Sequence, residues 1–169
     1  MATLLIVDDD PFILETASMM LELAGYDILR ANSGQAALKL CAGAQGPIHL
    51  LLTDIEMPLI NGFELAARLF NLMPRIAIVF MTAHHGLLRM PNQDAFGGYG
   101  MIRKPFTAAE LRQEVSTHLA RDAESGQRPM WLSDAATITP FPPGDAPCQL
   151  PSGVAYDIDS KGDGWPLKS

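Results

Sequence analysis

The sequence predicts a doubly wound α/β domain with a five-stranded parallel sheet over residues 1–121, and a largely irregular tail over 122–169. Three observations lead there. Runs that are apolar on successive residues recur at 4–7, 28–29, 48–52, 76–81 and 101–102, as suits strands buried on both faces. Segments of helical period separate them, and it is the alternation that makes the sheet parallel. The carboxyl ends of the runs are polar: Asp8-Asp9-Asp10, Thr53-Asp54, Thr82 and Arg103-Lys104-Pro105.

Each element has its own signals. Leu4-Leu5-Ile6-Val7 is the first strand, and Pro11 suits a first helical position, where its missing N–H costs nothing. Ile13, Ala17, Met20, Leu21 and Ala24 line one face at spacings of three and four, and Gly25 ends the run. Ser33 caps a second helix through Cys41. Asn61 with Glu64 resembles a capping box for a third, whose apolar face is Phe63, Ala66, Leu69 and Phe70. Between His84 and Gly98 the pattern is poor and Pro91 interrupts it, so a short or broken fourth helix is expected. Thr107 and Glu110 box the last helix, with Ala108, Leu111, Val115 and Leu119 inward. Crossovers should be right-handed throughout.

Composition excludes several classes. A net charge of −7 and a pI near 4.9 argue against a nucleic-acid-coating surface. Cys41 and Cys148 form no CxxC or Cys/His pair, so zinc is not expected; Cys41 reads as a small apolar helix residue. The N-terminus has no basic region and too short an apolar stretch for a signal peptide, and the 76–81 run cannot span a membrane. A soluble, cytoplasmic protein is expected. Residues 122–169 hold seven of thirteen prolines and five of fourteen glycines, which predicts a flexible or loosely docked tail. Met130-Trp131-Leu132 and Trp165 are its apolar anchors. A stretch from Asp157 compares with a calcium loop, but Lys161 and Lys168 stand at ligand positions. His84-His85 reads as an exposed loop pair, and His49 and His118 as structural.

In an open parallel sheet, ligands bind beyond the carboxyl ends of the strands. Singly, each polar residue there has a bland reading: Asp10 caps a helix, Lys104-Pro105 is a turn. Jointly they crowd several carboxylates, and two charges about 4 Å apart repel by roughly 4 kcal/mol at an effective dielectric of 20. A hard dication with oxygen ligands would explain that cost.

The motifs Leu5-Ile6-Val7-Asp8-Asp9-Asp10, Leu51-Leu52-Thr53-Asp54-Ile55-Glu56-Met57-Pro58 with Asn61-Gly62, Phe80-Met81-Thr82-Ala83 and Lys104-Pro105-Phe106 stand in register. On these, residues 3 to about 121 resemble the receiver domain of bacterial two-component response regulators. The resemblance implies a flavodoxin-like, chemotaxis-regulator-like sheet with strand order 2-1-3-4-5. It implies Asp54 as phosphoacceptor from a sensor histidine kinase or histidine phosphotransfer protein, helped by Thr82 and Lys104. It implies Mg2+ on Asp8, Asp9, Asp54 and the backbone carbonyl of Glu56, and a cis Lys104–Pro105 peptide. The output would be a downstream protein target, without direct nucleic-acid contact or membrane insertion.

The physics agrees, because phosphoryl transfer needs alignment and charge neutralisation. Two departures stand out. Many receivers carry an aromatic residue three positions before the lysine, where Met101 stands here, with Tyr99 two residues earlier. The tail is the other. The reading is thus a stand-alone response regulator, an enzyme only in self-catalysed phosphoryl transfer and autodephosphorylation. Alternatives are a phosphate-independent binding module and a Mg2+-dependent phosphohydrolase; the latter usually has its nucleophile after strand one, whereas Asp54 follows strand three.

Overall fold

The computed structural model describes residues 1–83 and 99–125, together with three short strands further along. The expected fourth helix, Pro91 and His84-His85 lie outside the described residues, as does most of the calcium-loop stretch. Five strands, β1 (Thr3–Val7), β2 (Asp27–Ala31), β3 (Leu50–Asp54), β4 (Ala77–Thr82) and β5 (Gly100–Arg103), form one parallel sheet in the order β2-β1-β3-β4-β5. Among the described residues four helices accompany it: α1 (Pro11–Glu22), α2 (Gly34–Gly43), α3 (Gly62–Leu72) and α4 (Ala108–Ser125).

Successive side chains of a strand point to opposite faces, so one apolar run fills two cores. Leu5, Val7, Leu51, Ile78 and Phe80 pack with Leu65, Ala66, Leu69 and Phe70 of α3 and Ala37 of α2. Leu4, Ile6, Leu50, Leu52, Val79 and Met81 pack on the other face with Ala17 and Leu21 of α1 and Leu111 and Val115 of α4. The central strands are therefore apolar along their middle and polar only at their ends, at Thr3, Thr53, Asp54 and Thr82. The edge strands need not be: Asp27 and Arg30 of β2 and Arg103 of β5 are exposed.

The helix starts carry the capping that the sequence indicated. Asp10 Oδ1 accepts from the Phe12 and Ile13 amides ahead of α1, Ser33 Oγ from Ala36 N, and Asn61 Oδ1 from Glu64 N. Thr107 and Glu110 make the full reciprocal box: Glu110 Oε2 accepts from Thr107 N and Oγ1, and Glu110 N donates to Thr107 Oγ1. At Asn61 the box is half-made, because Glu64 pairs with Arg68 instead. Gly25 follows α1 at φ +91°, a conformation that suits a residue without Cβ.

One expectation needs correction, and two features add to the rest. Ala108 is exposed; the inward residues of α4 are Leu111, Val115 and His118, with Leu119 partly buried. α4 runs to Ser125, past the boundary expected near 121. The tail, in which no strand period was visible, contains β6 (Cys148–Gln149), β7 (Ala155–Ile158) and β8 (Gly164–Pro166), paired antiparallel. Pieces of two to four residues are too short for period-two alternation to register.

Two outcomes follow for stability. Leu51→Ala removes a fully buried side chain of a central strand and should cost about 2–5 kcal/mol in urea unfolding, whereas exposed Leu72→Ala stays within about 0.5 kcal/mol. Hydrogen bonds from Thr107 hold the Glu110 carboxyl below its ordinary 4.5. A carboxylate depressed in the folded state stabilises above its unfolded pKa and loses that contribution as pH falls through the folded value. The lowering of the urea midpoint by Glu110→Ala at pH 7 should therefore shrink as pH drops below 4.5. A penalty independent of pH would show that the carboxylate charge plays no part.

Candidate functional site

The site lies where β1 and β3 diverge, at the switch in strand order, beyond their carboxyl ends. Asp8 directly follows β1, and its amide continues the ladder to Ala31 O at 3.2 Å. Its Oδ1 accepts from Asp10 N at 2.9 Å. That turn fixes the carboxylate and leaves Oδ2 facing Lys104 Nζ at 2.6 Å. Asp54 ends β3; its Oδ2 lies 3.0 Å from the same ammonium and its Oδ1 3.4 Å from Glu56 N. One lysine thus bridges two carboxylates from two strands. Lys104 is held there by its own amide, which donates to Thr82 O at 2.8 Å, and the Lys104–Pro105 peptide is cis.

Carboxylate oxygens of Asp8, Asp9 and Asp54 lie within 4.8 Å of one another. Asp8 and Asp54 are buried and Asp9 is exposed, so the cluster opens to solvent on one side. Burial is the chief cause that raises the Asp8 pKa; the neighbouring Asp54 adds to it, and the hydrogen bonds from Lys104 and Asp10 work against it. For Lys104 burial pulls the other way, downward, but the bonds to Asp8 and Asp54 outweigh it and hold the ammonium charged. Three hard oxygen donors converging beside one cation suit a small hard dication.

The remaining expected residues are placed as follows. Thr82 ends β4, fully buried, one step beyond Met81, which is level with Asp54. Glu56 sits exposed in the loop after β3. Asp10 is used as the α1 cap. Tyr99 and Met101 pack against the same core face, and the Tyr99 ring meets Phe80 edge-on, centroids 5.7 Å apart. The side chain at the position aromatic in many receivers is thus flanked by an aromatic two residues away. His49 Nδ1 accepts from Thr3 N at 3.0 Å and His118 Nε2 lies 3.1 Å from Glu114, both structural settings.

Two features were not visible in the sequence. A Cβ on Gly62 would stand 2.2 Å from the Asp54 carbonyl oxygen. Only glycine lets α3 begin against the backbone that carries Asp54; the Asn-Gly pair was legible as a motif, but not this contact. Leu59, at φ +70°, is the centre of a γ-turn closed by Ile60 N to Pro58 O at 2.8 Å. Such a turn costs a bulky residue about 1–3 kcal/mol. It turns Leu59 outward while Met57 and Ile60 on either side are buried. No residue type in 56–61 signals it.

Residues 4–116 match the family model of the response regulator receiver domain. The response regulator receiver protein CpdR of Brucella abortus is 32% identical over 119 residues, 70% of this chain and 98% of CpdR. The DNA-binding transcriptional regulator NtrC of Rhizobium meliloti is 30% identical over 133 residues, 79% of this chain. The chain spans only 26% of NtrC's length. Among solved structures, a receiver domain protein from Clostridium thermocellum superimposes with TM-score 0.65 and 26% identity, covering 73% of this chain and 98% of that one. TrrA from Thermotoga maritima, solved in complex with Mg(2+)-BeF, gives TM-score 0.59 and 32% identity over 69% of this chain and 97% of TrrA. The chain belongs to the response regulator receiver family, the signalling modules of two-component systems. Among the described residues no helix is long and apolar enough to cross a membrane.

Lys104→Met leaves two carboxylates of the cluster without their shared cation. Breaking a buried pair from one side costs about 3–5 kcal/mol; the partial opening to solvent puts the expected loss at the lower end, read by urea unfolding in EDTA. Adding Asp8→Asn should recover part of it. No loss in the single variant would mean that the bridge contributes nothing to the fold.

Proposed function

We propose that this receiver accepts a phosphoryl group on the Asp54 carboxylate from the phosphohistidine of a sensor kinase or phosphotransfer protein. The observation that carries the reading is the bridge: one ammonium within 3.0 Å of both Asp8 and Asp54, with Asp9 completing an acidic cluster. A carboxylate oxygen of Asp54 attacks phosphorus, the bond from phosphorus to the donor breaks, and an acyl phosphate forms. Lys104 moves with the charge, from pairing the carboxylate to pairing a phosphoryl oxygen. The Thr82 hydroxyl serves as a further hydrogen-bond donor to that group.

Asp8, Asp9, Asp54 and the backbone carbonyl of Glu56 would hold Mg2+, which supplies neutralisation of the charge gathered in transfer. The close oxygens of the three aspartates favour that assignment, and TrrA, a relative of the same fold, was solved with Mg(2+)-BeF. Hydrolysis of the acyl phosphate returns the domain to its starting state, so the chain needs no further catalytic activity. The output proposed is a phosphorylation-dependent contact with another protein.

Incubation with acetyl phosphate and Mg2+, followed by intact mass, tests the reading. The wild type should gain one phosphoryl group, with acetate released, and Asp54→Asn none. EDTA should suppress the gain. A folded, Mg2+-binding protein that takes no phosphoryl group from acetyl phosphate or from partner kinases would overturn the proposal in favour of a phosphate-independent binding module. Sustained turnover of phosphate esters would instead favour a phosphohydrolase.

A further inference from the structure

Lys104 reaches the acidic cluster from the end of an edge strand. β5 has four residues and, among the described residues, a neighbouring strand on one side alone, β4. The ladder between them runs one step past Arg103, where the Lys104 amide bonds to Thr82 O. N–H groups of successive strand residues point to opposite sides. With Lys104 N turned toward β4, the amide of Met101, three residues earlier, is turned away from it. An outward amide on an edge strand has no ladder partner. Here a side chain takes that place: Met101 N donates to Glu114 Oε1 of α4 at 3.2 Å.

The carboxylate is itself held. Glu114 Oε1 lies 3.1 Å from His118 Nε2, one turn along the same helix. Beside a carboxylate that nitrogen is the donor. His118 is buried on a helix face otherwise made of Leu111 and Val115. An apolar side chain would fill that face without a polar group to satisfy, so the imidazole needs a reason. Gly100 supplies the room for it. A Cβ there would stand 2.6 Å from His118 Cδ2 and 2.8 Å from Glu114 Oε1. β5 is thus shaped to the imidazole–carboxylate pair at its first residue and bonded to it at its second.

We propose that Glu114 is a positioning residue for Lys104: its carboxylate, steadied by His118, straps the start of β5 to α4 and so keeps the ammonium between Asp8 and Asp54. The strand is then held at both ends, by Glu114 at Met101 and by Thr82 O at Lys104. Without the strap β5 loosens from its start, and the ammonium spends less time within reach of both carboxylates. The placement stands on geometry; its consequence for phosphoryl transfer rests on Asp54 being the acceptor.

Amide exchange in the isotope-labelled full-length protein reads the bond directly. The Met101 amide should exchange about tenfold or more slowly in the wild type and in Glu114→Gln, whose oxygen still accepts, than in Glu114→Ala. A double-mutant cycle with Lys104→Met, followed by urea unfolding, reads the reach to the cluster. Independent sites add, so Glu114→Ala should lower the midpoint less in the Lys104→Met background than in the wild type. With acetyl phosphate and Mg2+, folded Glu114→Ala should take up the phosphoryl group about threefold to tenfold more slowly, and Glu114→Gln near the wild-type rate. Fast Met101 exchange in the wild type would overturn the proposal, because the bond would not exist in solution. So would an additive cycle, or wild-type labelling of Glu114→Ala, either of which leaves Glu114 to the packing of β5 on α4. A wild type that takes no phosphoryl group counts against Asp54 as the acceptor, and exchange and the cycle then decide the placement by themselves.

Discussion

The structure turns on the Lys104 ammonium between the carboxylates of Asp8 and Asp54. Without that cation, buried carboxylates from neighbouring strands would repel by several kcal/mol, and the carboxyl edge of the sheet would pay for its polarity in stability. With it, three strands are tied at one point: β1 through Asp8, β3 through Asp54 and β5 through Lys104, whose amide also bonds to β4 at Thr82. A lysine that binds two carboxylates holds its charge between them, so a change of charge on Asp54 would alter the one interaction common to all of these strands.

Around this point the backbone is built for close approach. Asp10 caps α1 and at the same time, through its amide, fixes Asp8. Gly62 lets α3 start against the Asp54 carbonyl. Between them the Pro58–Ile60 γ-turn accepts strain at Leu59 so that Met57 and Ile60 can both be buried. The Ile60 side chain in turn needs Gly34 at the start of α2, where a Cβ would stand 2.8 Å from it. Three helix starts are thus set by what the acidic edge requires.

How much of this was legible follows from burial. β1, β3 and β4 read clearly because both faces of a central strand are core, which leaves an unbroken apolar run. β2 and β5 read as apolar pairs because an edge strand carries charged residues, Asp27, Arg30 and Arg103, that no pattern requires. The clustered aspartates, Thr82 and Lys104 were legible as a set because topology gathers strand ends, so residues nearly a hundred positions apart could be assigned to one place. Distances were not legible: the bridging of two carboxylates by one lysine depends on where the bond from the Lys104 amide to Thr82 O sets that backbone.

What the pattern concealed is also informative. A helix with one apolar face announces its orientation, and α3 does so. α1 has apolar residues on both faces, so helical spacing picks out Ile13, Ala17, Met20, Leu21 and Ala24 and leaves Phe12, Met19 and Leu23 unassigned. Fold alone gives them no role, since the sheet is covered without them. Their exposure is a cost in the isolated domain, because roughly 25 cal/mol is forgone for each Å2 of apolar surface left in water.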